Sequence, residues 1–214
     1  MPFERMVPTP KGDARLLVRR AKRPVATLVL THGAGGGVDA PDLVRLARTL
    51  PQQDISVTLV EMPWRVAGKK LAPAPLVIDE CFTAVLDSLR TRSPLVLGGR
   101  SAGARSACRI ARAAGARGVL ALSFPLHPPG RPEKSRLDEL HNARVRTLVI
   151  QGERDPFGSP EEFPDDIDLA VVPSADHSMK VARSAPVSQE EALAVVLEAT
   201  LEWVVREVAG NRND

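Results

Sequence analysis

Short apolar runs, each closed by Gly, Pro or a charged turn and each followed by a stretch of helical periodicity, recur along almost the whole of this chain. That alternation constrains the fold more than any other feature. A brief run of Val, Leu and Ile with no polar face is what a strand of a parallel sheet needs when helices cover it on both sides. The runs predict strands at residues 14–21, 25–31, 55–61, 95–98, 119–124, 147–151 and 169–172. All but the first read as buried on both faces. The first alternates with Arg, as an edge strand does. The expectation is an α/β fold built on a mostly parallel sheet of about seven strands.

Helical periodicity fills the gaps. Leu43, Leu46, Ala47 and Leu50 share one face, and Ile78, Phe82, Val85 and Leu89 another. Residues 101–114 set Arg105, Arg109 and Arg112 on one stripe opposite Ala and Ile, which reads as a solvated face. The last helix opens with Ser188 and, three residues on, Glu191, a capping-box pattern. No repeat or low-complexity linker divides the chain, and the Pro-rich stretches near 73–75 and 125–132 read as loops, so one domain is expected over residues 1–214.

Composition removes several classes of function. There is no Tyr, and only two Trp and five Phe, so the stacking platforms of a single-strand nucleic-acid binder are missing. The net charge of +3 comes from Arg dispersed along the chain, not from a basic block, and no nucleic-acid partner is expected. No run of apolar residues is long enough to span a bilayer, and no leader-like apolar run precedes the first Pro-rich stretch, so no membrane association and a cytoplasmic location are expected. Cys81 and Cys108 lie in predicted helices without CxxC or metal-ligand spacing and read as buried, reduced thiols. Neither a metal nor a cofactor is expected.

The chemistry concentrates at three places. Gly99-Arg100-Ser101-Ala102-Gly103 falls where a predicted strand ends and a helix begins, the context a G-x-S-x-G nucleophile elbow requires. Ser101 is the candidate nucleophile. Because it opens a helix, the free N–H of Ala102 is a candidate donor to an oxyanion. A second donor is expected from Ala34 in the Gly-rich turn Thr31-His32-Gly33-Ala34-Gly35-Gly36-Gly37, whose spacing is neither that of a P-loop nor that of a dinucleotide fingerprint. His32 precedes the nucleophile and reads as a structural residue of that turn. A serine hydroxyl needs a base, and the base a carboxylate. Asp155, in the turn-rich exit from the strand at 147–151, and His177, between the last strand and the last helix, follow in the order Ser, acid, His. Asp176 is too tightly tethered beside His177 to approach its ring. Glu153 competes, but Asp155 sits deeper in the loop. Gly33, Arg100 and His127 are candidate substrate-binding residues; Arg100 can equally pair with a nearby carboxylate, and His127 can equally brace its Pro-rich loop.

These motifs resemble the α/β-hydrolase-like domain of the testis-expressed-thirty proteins, the third subunit of the NSL chromatin complex and bacterial predicted hydrolases. The resemblance spans nearly the whole chain and includes the 32–37 turn, Glu61-Met-Pro-Trp64 with Gly68-Lys-Lys, the elbow, the distinctive Phe124-Pro-Leu-His-Pro-Pro-Gly130, residues 151–158 and Asp176-His177. It departs at Ala102, where relatives often carry a larger apolar residue. A more distant similarity is to dienelactone hydrolases, which have Cys where Ser101 stands. The resemblance implies an α/β-hydrolase fold and the Ser101–Asp155–His177 set. Only about two dozen residues separate the strands at 119 and 147, too few for a large lid. The expected activity is an esterase- or thioesterase-like serine hydrolase working through an acyl-enzyme on a small acyl substrate, as a monomer or homodimer. The alternative is a catalytically silent scaffold of the same fold, as the chromatin relative suggests.

Overall fold

The structure is a computed structural model that describes residues 3–210; residues 1–2 and 211–214 of the expected domain lie outside the described residues. Eight strands form one sheet: β1 (Phe3–Thr9), β2 (Gly12–Arg19), β3 (Ala26–Thr31), β4 (Ile55–Glu61), β5 (Leu95–Arg100), β6 (Gly118–Leu122), β7 (Arg146–Gly152) and β8 (Asp168–Val172). Their order is β1-β2-β4-β3-β5-β6-β7-β8. β2 runs antiparallel to β1 and β4, and every pairing from β4 to β8 is parallel. The helices are α1 (Pro41–Thr49), α2 (Pro63–Val66), α3 (Pro75–Asp87), α4 (Ala102–Ile110), α5 (Leu137–His141) and α6 (Gln189–Trp203).

Strand periodicity splits the core into two layers. Leu28 and Leu30 of β3, with Leu120 and Leu122 of β6, pack toward α1 and α6. Val29, Val119 and Ala121, between them in sequence, pack toward α2, α3, α4 and α5. Both faces of the central strands are therefore covered, and every residue of β3 and β6 is buried. The last helix begins as its sequence predicts: the Ser188 hydroxyl accepts from the Glu191 amide, and the Glu191 carboxylate accepts from the Ser188 amide.

The sheet has eight strands where the apolar runs predict seven. β1 escapes the pattern because only Val7 of its seven residues is fully buried and Pro8 interrupts it. By pairing with β2 it covers what was expected to be an edge, so β2 is interior. The opposite edge is β8, which was expected to be buried on both faces; Val172 is its one buried residue and Val171 faces outward. The arginine stripe of α4 is also different from expectation. Arg105 donates to Glu139 of α5 at 2.8 and 2.6 Å, and Arg109 bridges Asp79 of α3 and Glu139, so two of the three arginines bind helices together and only Arg112 is exposed. Burial alone raises the Glu139 carboxyl, but Arg105 and Arg109 outweigh it and hold it below its ordinary value.

Cys81 and Cys108 are both free and buried, and burial, with Glu139 nearby, pushes the Cys108 thiol up to about 12. The connection from β6 to β7 holds one short 3-10 turn and α5, which leaves no large lid. No helix among the described residues is long and apolar enough to cross a membrane.

Candidate active site

All the candidate chemistry gathers at the carboxyl edge of the parallel strands, the place where open α/β sheets form their sites. β5 delivers Ser101 into a sharp turn at φ 51°, ψ −112°, a left-handed conformation that costs a non-glycine residue energy and persists only where its surroundings enforce it. The enforcement is visible. The Ser101 amide donates to the Leu122 carbonyl at 3.0 Å, and α4 starts at the next residue. The two flanking glycines lie against the end of β3: a Cβ on Gly99 would fall 2.4 Å from the Thr31 oxygen, and one on Gly103 would fall 2.7 Å from Thr31 Cγ2 and 2.8 Å from the His32 oxygen. Nothing larger fits without moving the strand.

Ser101 Oγ lies 3.0 Å from His177 Nε2, and His177 Nδ1 lies 2.8 Å from Asp155 Oδ2. The carboxylate can only accept, so Nδ1 carries the proton and Nε2 is free to take one from the hydroxyl. Asp155 is buried, accepts the Phe157 amide on Oδ1 at 2.8 Å and lies 3.0 Å from Gln151 Nε2. The two competing acids have other partners. Asp176 accepts the amides of Ser178 (2.7 Å) and Lys180 (3.0 Å), and Glu153 accepts the amide of Ser174 (2.6 Å), so both brace the loop that carries His177.

The Gly-rich turn passes directly beside Ser101. A Cβ on Gly33 would stand 3.3 Å from Ser101 Cβ, which leaves the space next to the hydroxyl open. Among the described residues, neither the Ala34 nor the Ala102 amide donates to a backbone carbonyl. His32 is structural, as expected: Nε2 accepts the Met62 amide at 3.0 Å, Nδ1 donates to the Gly33 carbonyl at 2.8 Å, and the ring meets Trp64 edge-on. Burial lowers its pKa, which suits a ring nitrogen that must keep its lone pair.

Two of the expected substrate-binding residues have partners within the protein. Arg100 turns into the protein, with Nε 3.1 Å from the buried carboxylate of Asp42 and Nη2 donating to the His177 carbonyl at 2.6 Å. His127 is buried, with Nδ1 on the Pro128 carbonyl at 2.9 Å and Nε2 on Glu162 at 2.7 Å. Both partners are acceptors, so both ring nitrogens donate. The Pro128 carbonyl, against some desolvation, and then Glu162 raise the pKa of His127. The loop around it also supports the acid, because the His127 amide donates to the Phe157 carbonyl at 3.0 Å.

Sequence reasoning did not single out Gln151 or Phe157. Gln151 Nε2 lies within hydrogen-bond reach of the carbonyls of Phe124 (3.2 Å) and Gly158 (2.8 Å) as well as Asp155, joining the loops after β6 and β7. A lone amide ending the apolar run of β7 was its signal. Phe157 stacks on His177, a contact between neighbours in space that no spacing in the sequence announces.

A strained serine at a strand-to-helix elbow, on a mostly parallel sheet, with an imidazole and a buried carboxylate lined up behind it, defines the α/β hydrolases. The chain belongs to the alpha/beta hydrolase domain family, whose model matches residues 24–205. Its fold is similar to that of an α/β serine hydrolase without a lid from Xanthomonas campestris (TM-score 0.71, 17% identity, 94% of this chain and 94% of that one covered). It is likewise similar to dienelactone hydrolase from Anabaena variabilis (TM-score 0.72, 16% identity, 97% and 98% covered). An esterase domain of a Rhodothermus marinus protein also shares it (TM-score 0.69, 13% identity, 96% and 98% covered).

Proposed function

We propose that the protein is a serine hydrolase of the esterase or thioesterase kind, working through an acyl-enzyme on Ser101 with His177 as base and Asp155 as its orienting acid. The observation that carries this reading is the unbroken line from Ser101 Oγ to His177 Nε2 at 3.0 Å and from His177 Nδ1 to Asp155 Oδ2 at 2.8 Å. As Oγ bonds to the acyl carbon, its proton passes to Nε2, and Asp155 stabilises the imidazolium. The negative charge moves to the carbonyl oxygen, which the amides of Ala34 and Ala102 receive. Collapse breaks the bond to the leaving alcohol or thiol, which departs with the proton from Nε2. Water then repeats the sequence on the acyl-enzyme and releases the acid.

Ser101 and His177 are both partly exposed, and the β6–β7 connection is short, so the reading favours small or flexible acyl groups, or the exposed end of a larger molecule. Gly33 belongs to the same proposal as the wall beside the nucleophile. The finer kinship carried by residues 124–130, with the testis-expressed-thirty proteins and the third NSL subunit, is also part of it. Two free, buried thiols are in keeping with a reducing compartment such as the cytoplasm.

The test is labelling of the purified protein with a fluorophosphonate probe, alongside Ser101→Ala and His177→Ala. The expected result is a labelled wild type and two silent variants. An unlabelled wild type, or a labelled Ser101→Ala, overturns the assignment.

A further inference from the structure

The buried acid Asp42 takes no part in the chemistry described above. It is the second residue of α1, is fully buried, and neither of its oxygens makes a well-aligned hydrogen bond. Its counter-charge is Arg100, whose Nε stands 3.1 Å from Oδ2 and whose side chain is 14% exposed. Burial pushes the Asp42 carboxyl up, while Arg100 and then the amides of Leu43 and Asp42 itself at the start of α1 pull it the other way. A buried ion pair is a poor way to stabilise a fold, because apolar residues of similar volume often do as well or better. The pair therefore calls for a role beyond stability.

We propose that Asp42 and Arg100 are positioning residues for the base, an ion pair that fixes the main chain of His177 relative to Ser101. The inference rests on the serine-hydrolase reading. Arg100 immediately precedes the nucleophile on β5, and its guanidinium sets Nε beside Asp42 Oδ2 at 3.1 Å, a charge contact without an aligned hydrogen bond, while Nη2 donates to the His177 carbonyl at 2.6 Å. The planar group is rigid, so orienting it at Asp42 also aims the donor that holds His177. The base lies on an irregular loop between β8 and α6, closed on itself by a single bridge between Ala175 and Val181 and not built into the sheet or a helix. Asp176 shapes that loop internally, Gln189 ties it to the start of α6, and Glu153 and the Arg154 amide tie it to the loop after β7. Arg100 ties it directly to the strand that carries the nucleophile. Lysine at position 100 would keep the charge near Asp42 but lacks the fork that makes both contacts at once.

The experiment compares wild type with Arg100→Lys, Arg100→Met and the doubly neutral Asp42→Asn/Arg100→Met, using the second-order rate of fluorophosphonate labelling, kcat and KM on a small activated ester, and the thermal midpoint. All three variants should lose about 10- to 100-fold in labelling rate and kcat, the scale of misplacing a reacting group by an ångström or so, with KM little changed. The double variant should recover the thermal midpoint lost by Arg100→Met without recovering kcat. Wild-type rates in folded variants would sink the inference, as would a kcat that returns together with the midpoint, and so would failure of every variant to fold. A wild type whose labelling does not depend on Ser101 would instead remove the serine-hydrolase reading, and this inference with it.

Discussion

The Phe157 ring lies over the His177 imidazole, with centroids 4.1 Å apart and planes inclined by 28°, while the amide of the same residue donates to Asp155. One residue thus contacts His177 through its side chain and Asp155 through its backbone. Phe157→Leu keeps the amide and removes the stack. An aromatic pair of this kind contributes about 1 kcal/mol beyond simple burial, so kcat should fall about fivefold on an ester substrate, with KM nearly unchanged. Steady-state kinetics of the variant check this, and a wild-type kcat would show the stack to be idle.

Asp155→Asn should cost far more. The amide no longer compels the proton to sit on Nδ1, and Nε2 is then no longer the free base. A loss of about 10³ to 10⁴ in kcat is expected, with the circular-dichroism spectrum and thermal midpoint close to wild type. A loss smaller than tenfold would mean that another group orients His177.

His127 should make stability fall on the alkaline side. Its folded pKa lies above the ordinary 6.5, so its contribution is complete below that value and is lost as pH rises through the folded one. Glu162, held below its ordinary 4.5 by the Ser159 amide and then by His127, works in the opposite direction: its contribution is present above 4.5 and lost as pH falls through the folded value. The contact is therefore strongest between 4.5 and 6.5. Urea midpoints measured across pH should decline above this window in wild type and lose that component in His127→Gln. Parallel curves for the two proteins would remove His127 as the cause.

Gly103→Ala tests the fit of the elbow against β3. The new Cβ would meet Thr31 Cγ2 and the His32 oxygen, one of them backbone, at distances real Cβ atoms avoid. Overpacking of this sort costs about 1 to 3 kcal/mol, readable by urea unfolding. Labelling of the folded fraction should fall as well, because α4 and Ser101 must shift together. An unchanged midpoint would mean that β3 yields freely.

The sequence by itself determined the layered sheet and the three residues aligned at its edge. Nearly continuous apolar runs in β3 and β6 leave a strand no solvent face, and the small residues around Ser101 admit only a tight strand-to-helix turn. β1 was illegible because an edge strand buries little: with Val7 alone inward, its pattern resembles a loop, and its pairing comes from β2 across a tight turn. Tertiary structure alone decided the fate of the charges. Arg105 and Arg109 follow a stripe that reads as solvated, yet α3 and α5 bring Asp79 and Glu139 to meet them. Arg100 lies beside Ser101 in sequence, yet α1 supplies its charge partner, the buried Asp42. Periodicity records which face of an element is apolar, since burial acts on each residue by its own side chain; the partner of a charge depends on how distant segments pack, and the local sequence carries no record of that.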